Sequence, residues 1–339
     1  MKGPRGLFLR AATLCLLPIS LAACSRTAFP ESFGYLASSG GEQDRGIMSP
    51  AVATVGPAVT PMATPVTGPA FITAPSSEDD SHQSNQLQLE LEEVVASLSG
   101  TYGVAALNLS SGETIGLNES EFFPSASLYK LVVLYEAYRQ AETGRISLAA
   151  SLEIRPQHLC EAADTDLGLG DRLSIADALR LMITVSSNSA AYAVLDEIGW
   201  ARFNQAAGEL GLRETSMPMG SEVPLQPEWR AELASTSPRD VLRFFELLYR
   251  RQLVSAEASD AMLSLLLDQQ VNDRIPAGLP NSLQIAHKTG ELTDVWNDAG
   301  IVFTESNAYV LVVLSMDVHA DEALTAIADI AKLVHSYFG

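Results

Sequence analysis

Basic residues are scarce in this chain. Its 339 residues hold 21 Lys and Arg against 41 Asp and Glu, a formal charge of −20 at pH 7. Only four positions are lysine: 2, 130, 288 and 332. Phosphate recognition runs on Lys and Arg, so this balance argues against nucleic acid as a partner. Cysteine is almost as rare, at positions 15, 24 and 160. The five histidines (82, 158, 287, 319 and 335) fall into no H-x-H or H-E-x-x-H spacing, and the cysteines into no C-x-x-C. No metal and no cofactor are therefore expected. Arginine is missing from 275 onward.

The first 24 residues carry Lys2, Arg5 and Arg10 ahead of an apolar run, Ala11–Ala23, that closes on Leu21-Ala22-Ala23-Cys24. A basic start, a short apolar stretch and small residues before a cut form an export signal, too short for a comfortable membrane span. The ending resembles a bacterial lipobox, which implies that Cys24 is lipidated and becomes the mature N-terminus. An ordinary cleaved signal is the alternative. The expected product is exported and lipid-anchored to the bacterial cell envelope, facing the periplasm or the exterior. Cys15 leaves with the signal, so Cys160 stands alone and no internal disulfide is expected. Residues 25–86 are rich in Ala, Thr, Ser, Gly and Pro, with prolines at 30, 50, 57, 61, 65, 69 and 75. Such a stretch buries too little to fold and reads as a disordered tether, with a reach of about 40–50 Å.

From 87 to 339 the sequence reads as one domain. Leu87, Leu91, Val94, Val95 and Leu98 recur at helical spacing between Gln86 and Ser99. Tyr102–Asn108 and Glu113–Asn118 flank Ser111-Gly112, a hairpin signal. The pattern is helical from Ser125 to about Leu267, with capping boxes at Ser174–Asp177 and Ser237–Asp240. Strand character returns at Leu283–Lys288, Asp298–Thr304 and Ala308–Met316, and Asp321–Tyr337 closes the chain as a helix. The expected fold is α/β of the α+β type. One antiparallel sheet drawn from both chain ends is flanked by helices, and a mainly helical subdomain is inserted.

Three strings carry chemistry. Ser127-Leu128-Tyr129-Lys130 opens a helix, and its i, i+3 spacing puts hydroxyl and amine on one face. A serine hydroxyl needs a neighbouring base, and a desolvated lysine crowded by cations can serve. Ser186-Ser187-Asn188 offers a second hydroxyl for proton relay and an amide for a substrate carbonyl. Lys288-Thr289-Gly290 offers positive potential, a hydroxyl, and a strand edge open to close approach. Each string alone also reads as plain structure: an exposed helix pair, a cap, a solvated turn. Yet two of the three lysines left after signal removal occupy these motifs.

Together the strings resemble the penicillin-interacting serine hydrolases, class A β-lactamases in particular. Asn188 lies 61 positions after Ser127, and Lys288 lies 100 after Asn188, separations like those of class A. The resemblance implies a β-lactamase/transpeptidase-like fold and acylation of Ser127 with help from Lys130. It implies that Ser186 relays a proton to the leaving nitrogen and Asn188 holds the substrate amide. Lys288, Thr289 and Gly290 would line the carboxylate side, and the backbone N–H groups of Ser127 and Glu291 would form the oxyanion hole. Glu222-Val223-Pro224-Leu225-Gln226 resembles the family's deacylation element with Gln in place of Asn, which makes Glu222 the base for water and Gln226 its helper. An exposed loop carboxylate is the plainer reading of Glu222.

Three features depart from the family. Ser187 stands where class A usually has Asp. Glu291 and Asp294 sit near a pocket meant for a carboxylate. The late-strand arginine is missing, so ion pairing is expected to rest on Lys288. Three functions follow. The first is a β-lactamase conferring antibiotic resistance. The second is a D,D-peptidase or related cell-wall amidase or esterase acting on D-Ala-D-Ala-type peptides. The third is a lipoprotein that binds penicillin or peptidoglycan without turnover. The expected state is a monomer.

Overall fold

The computed structural model describes residues 78–159, 167–219 and 231–339. Helix α1 (Glu78–Ala96) leads into strand β1 (Thr101–Asn108), which turns back into β2 (Thr114–Leu117). The marked turn forms: Asn108 Oδ1 accepts from the N–H groups of Ser110 and Ser111, each at 3.0 Å. Gly112 takes φ 79° there, an angle that costs glycine little. The helix begins at Glu78, about two turns ahead of the Gln86 start read from its apolar spacing.

The insert follows. It contains β3 (Phe123–Pro124), α2 (Tyr129–Glu142), β4 (Ser151–Glu153), β5 (Arg172–Ser174), α3 (Ile175–Thr184), α4 (Asn188–Ile198) and α5 (Arg202–Leu210). Then come β6 (Ser235–Thr236), α6 (Pro238–Tyr249) and α7 (Ala256–Leu267). Both caps sit where the sequence puts them. Ser174 Oγ accepts from Asp177 N, and Ser237 Oγ accepts from Asp240 N with Pro238 at the first helical position. The Asp240 carboxylate turns elsewhere: it accepts from the N–H groups of Arg213 and Glu214 and from Thr215 Oγ1. The short pairs β4–β5 and β3–β6 interrupt a stretch that sequence read as helical throughout. Runs of two or three residues are too short for alternation to betray.

The chain returns through β7 (Gln284–Leu292), β8 (Val295–Phe303) and β9 (Ala308–Met316) and ends in α8 (Ala320–Phe338). Sheet order is β2-β1-β9-β8-β7, antiparallel throughout, so both chain ends share one sheet as expected. Central strand β9 is apolar on both faces. Val310, Val312 and Leu314 join the cluster of α2, α3, α4 and α6, while Tyr309, Leu311 and Val313 face Leu91 of α1 and Ile327 and Val334 of α8. Alternate side chains on a strand point to opposite faces, which is how nine residues serve two cores. Each fully buried aliphatic contributes about 1.5–3 kcal/mol. Strands β7 and β8 run past the Lys288 end and the Asp298 start read from sequence: Glu291 pairs with Trp296 and Leu292 with Val295, leaving Thr293-Asp294 as the turn.

Candidate active site

Ser127 sits in a 3-10 turn, Ala126–Leu128, that runs straight into α2. The turn is clamped from three sides. Ser125 N donates to Ala234 O at 2.8 Å, Phe123 and Pro124 pair with Thr236 and Ser235, and Asn297 Nδ2 donates to Pro124 O at 3.0 Å. Gly290 lets β7 approach closely, since a Cβ there would lie 3.1 Å from Ser125 O and 3.2 Å from Ala126 Cβ. Ala126 itself is left-handed at φ 43°. A non-glycine residue in that region costs on the order of 1–3 kcal/mol, and the surrounding clamp holds it there.

The first helical residue but one supplies the amine. Lys130 Nζ lies 3.0 Å from Ser127 Oγ. It also donates to Ser186 O at 2.6 Å, Ser186 Oγ at 3.1 Å and Asn188 Oδ1 at 2.7 Å. Ser186 lies between α3 and α4 at φ 59°, a second left-handed residue. Ser187 explains itself locally: it is the N-cap of α4, and its Oγ accepts from Ala190 N at 3.2 Å.

From the other wall, Lys288 Nζ reaches the same Ser186 Oγ at 2.9 Å and Thr289 O at 2.8 Å. Both lysines are fully buried, at 0% exposure. Burial pushes the Lys288 ammonium well below the usual lysine range, with the charges of Lys130 and then Arg274 adding to the push and Asp298 opposing it. The structure thus joins Ser127, Lys130, Ser186, Asn188 and Lys288 in one hydrogen-bonded chain, with Thr289 and Gly290 on the adjoining strand. Glu291 is next on that strand. Glu222 and Gln226 lie outside the described residues, as do Cys24 and Cys160.

Sequence reading missed a second ring of residues. Arg274 falls one position before the arginine-free stretch, yet its charge acts on Lys288, so positive charge on this side does not rest on Lys288 alone. The guanidinium is buried and stacked 4.7 Å from the Trp296 ring centroid, and its Nη2 lies 2.8 Å from Glu291 Oε2. His287 and Asp298 pin the chain on either side of Arg274. His287 Nδ1 lies 2.9 Å from Asp298 Oδ1, its Nε2 lies 3.0 Å from Asn272 Oδ1, and Asp298 Oδ2 accepts from Ile275 N at 3.0 Å. Adjacent placement of His287 and Lys288 hinted at this network; Arg274 is fourteen residues away from the motif and gave no signal. Among the described residues no cluster of three His, Cys, Asp or Glu side chains could hold a metal ion.

A half-buried serine against a fully buried lysine, a second serine bridging two lysines, and an amide within reach are an apparatus for acyl transfer. Comparison with known proteins agrees with that chemistry. A family model described as the beta-lactamase enzyme family matches residues 86–338. Among solved structures, PBP-A is 27% identical with a TM-score of 0.69, over 75% of this chain and 96% of its own. A PBP-A variant captured as an acyl-enzyme complex with penicillin G is 26% identical with a TM-score of 0.69, over 75% and 96%. A beta-lactamase from Sphaerobacter thermophilus is 25% identical with a TM-score of 0.65, over 76% and 97%.

Proposed function

The chain belongs to the beta-lactamase enzyme family, and from that premise we propose that it is a serine β-lactamase of class A type. The observation that carries this reading is the 3.0 Å contact between Ser127 Oγ and Nζ of the fully buried Lys130. Lys130 takes the hydroxyl proton as Ser127 Oγ attacks the β-lactam carbonyl. Backbone N–H groups of Ser127 and Glu291 stabilise the oxyanion; losing one such donor costs about 10²–10³ in rate. The carbonyl–nitrogen bond breaks as Ser186 passes its proton to the leaving nitrogen and regains one from a lysine beside it. Asn188 holds the substrate amide, while Lys288, Thr289 and Arg274 favour the carboxylate side. Water activated by Glu222 and placed by Gln226 then cleaves the ester and frees Ser127.

A second reading, a D,D-peptidase with the same acylation steps, is favoured by two observations. Ser187 stands where class A usually has Asp, and PBP-A is among the similar structures. Intact mass against time with penicillin G, with Ser127→Ala beside it, separates the readings. A transient adduct with accumulating hydrolysed drug supports the β-lactamase. A persistent adduct favours the peptidase or a non-turnover binder. No adduct at Ser127 removes penicillin from the account.

We also propose that Cys24 carries a lipid anchor and that the segment from residue 25 to the start of helix α1 at Glu78 tethers the catalytic domain to it. Metabolic labelling with a palmitate analogue tests this: label that survives Cys24→Ala would overturn it.

A further inference from the structure

The Arg274 guanidinium is a built cation with an occupant already on it. Its side chain is 1% exposed, whereas that of Glu291, whose Oε2 it meets at 2.8 Å, is 49% exposed. The cation is fixed and its counter-ion is movable. Fixation comes from the Trp296 ring beneath Arg274 and from Asp298, which binds the next residue's N–H. Asp273 Oδ1 stands 3.6 Å from Arg274 Nε, beyond hydrogen-bond reach. That buried Nε, like the Trp296 Nε1 beside it, finds no hydrogen-bond partner among the described residues. Donor capacity therefore remains where Glu291 sits.

Glu291 directly follows Lys288-Thr289-Gly290, the tract assigned above to the carboxylate of a substrate. A carboxylate arriving there needs the same guanidinium fork, because planar bidentate pairing with Arg is the strong mode. Two carboxylates cannot share it without mutual repulsion, and like charges brought together select against the second.

We propose that Glu291 is a built-in counter-carboxylate that occupies the anion subsite at Arg274. It sets the enzyme's preference toward acyl donors that are uncharged beside the scissile bond. Donors with a free carboxylate must displace the Glu291 side chain before Arg274 can hold them. The net charge of −20 acts in the same direction. This inference rests on the reading that Ser127 is acylated.

The test compares the rate of Ser127 acylation by penicillin G with that by its methyl ester, read by intact mass. Glu291→Gln keeps the length of the side chain and the 291 peptide N–H while removing the charge; Glu291→Ala is the second variant. The acid-to-ester rate ratio is expected to rise on the order of tenfold in both. It should stay near the wild-type value when Arg274→Ala is combined with either. A ratio that is unchanged or lower in both single variants, with labelling intact, overturns the inference and leaves the acylation reading standing. Absence of any Ser127 adduct from either compound overturns the acylation reading and this inference with it.

Discussion

Lys130 and Lys288 meet at one hydroxyl: their Nζ atoms lie 3.1 and 2.9 Å from Ser186 Oγ. They arrive from opposite walls, one on the first turn of α2 and the other on β7. Two fully buried amines this close cannot both hold a proton cheaply, since each charge and the loss of water disfavour the other's.

This position suits the proton relay proposed for Ser186. Replacing it with Ala should slow acylation of Ser127 by penicillin G about 10²-fold or more, the usual range for a positioned proton donor. The melting temperature should move little, because the left-handed angle remains and Ser186 O still accepts from Lys130. Stopped-flow acylation beside a thermal melt checks both. A loss of less than threefold would mean that the leaving nitrogen is protonated by another group.

Lys288 gives stability a dependence on pH with a definite sign. Its ammonium is held well below the ordinary lysine range, chiefly by burial. Between that lowered value and the unfolded lysine value of about 10.4, the unfolded chain binds a proton that the native chain does not. Stability must then rise with pH through this window. Lys288→Met removes the penalty, so its stability relative to wild type should be most favourable near neutral pH and decline as pH climbs. Urea unfolding of both proteins at pH 7 and pH 9.5 measures the difference. A gap that is flat or widens with pH contradicts the assignment.

The sheet and the three motifs were legible because each rests on local rules. Val310–Leu314 is a short continuous apolar run rich in valine and bounded by Asn307 and Asp317, the mark of a strand buried on both faces, and Ser127 and Lys130 share a helix face whatever surrounds them. Arg274, Asn297 and Asp298 were not legible, because their work is done across the fold. Asn297 donates to Pro124 O, 173 positions earlier, and Asp298 accepts from Ile275 N, 23 positions back. No period records such a partnership. The strands on either side of the 293–294 turn were read too short for a related reason: Gly290, Glu291, Asp294 and Asn297 have poor strand propensity, and pairing of Gly290 with Asn297 and of Glu291 with Trp296 overrides it.

Asn297 turns that long-range link into a prediction. It is fully buried; its Nδ2 holds the carbonyl of Pro124, and its Oδ1 accepts from Ser315 N at 2.9 Å. Asn297→Ala strands a buried backbone N–H, which costs about 1–3 kcal/mol. It also loosens the turn that keeps Ala126 left-handed ahead of Ser127. Both the urea midpoint and the acylation rate should fall. A midpoint that falls while the acylation rate holds would show that the clamp on Pro124 does not matter to the nucleophile.

In the proposed mechanism turnover after acylation depends on Glu222, and the described residues on either side of its segment bear on that proposal. Asn204 receives Met217 N and donates to Met217 O, both at 2.8 Å, and Ser216 and Ser235 exchange backbone bonds of 3.1 and 2.9 Å. Ala234 O in turn accepts from Ser125 N, two residues before the nucleophile. Both flanks of 220–230 are thus tied to the turn that carries Ser127. A carboxylate on that segment needs only to reach a single water to act as a base. Glu222→Gln should leave Ser127 labelled by penicillin G at close to the wild-type rate and slow release about 10²–10⁴-fold. The adduct, transient in wild type, should then persist through the whole mass time course. Normal turnover by Glu222→Gln would assign deacylation to another group, whereas a wild-type adduct that already persists would point to the peptidase.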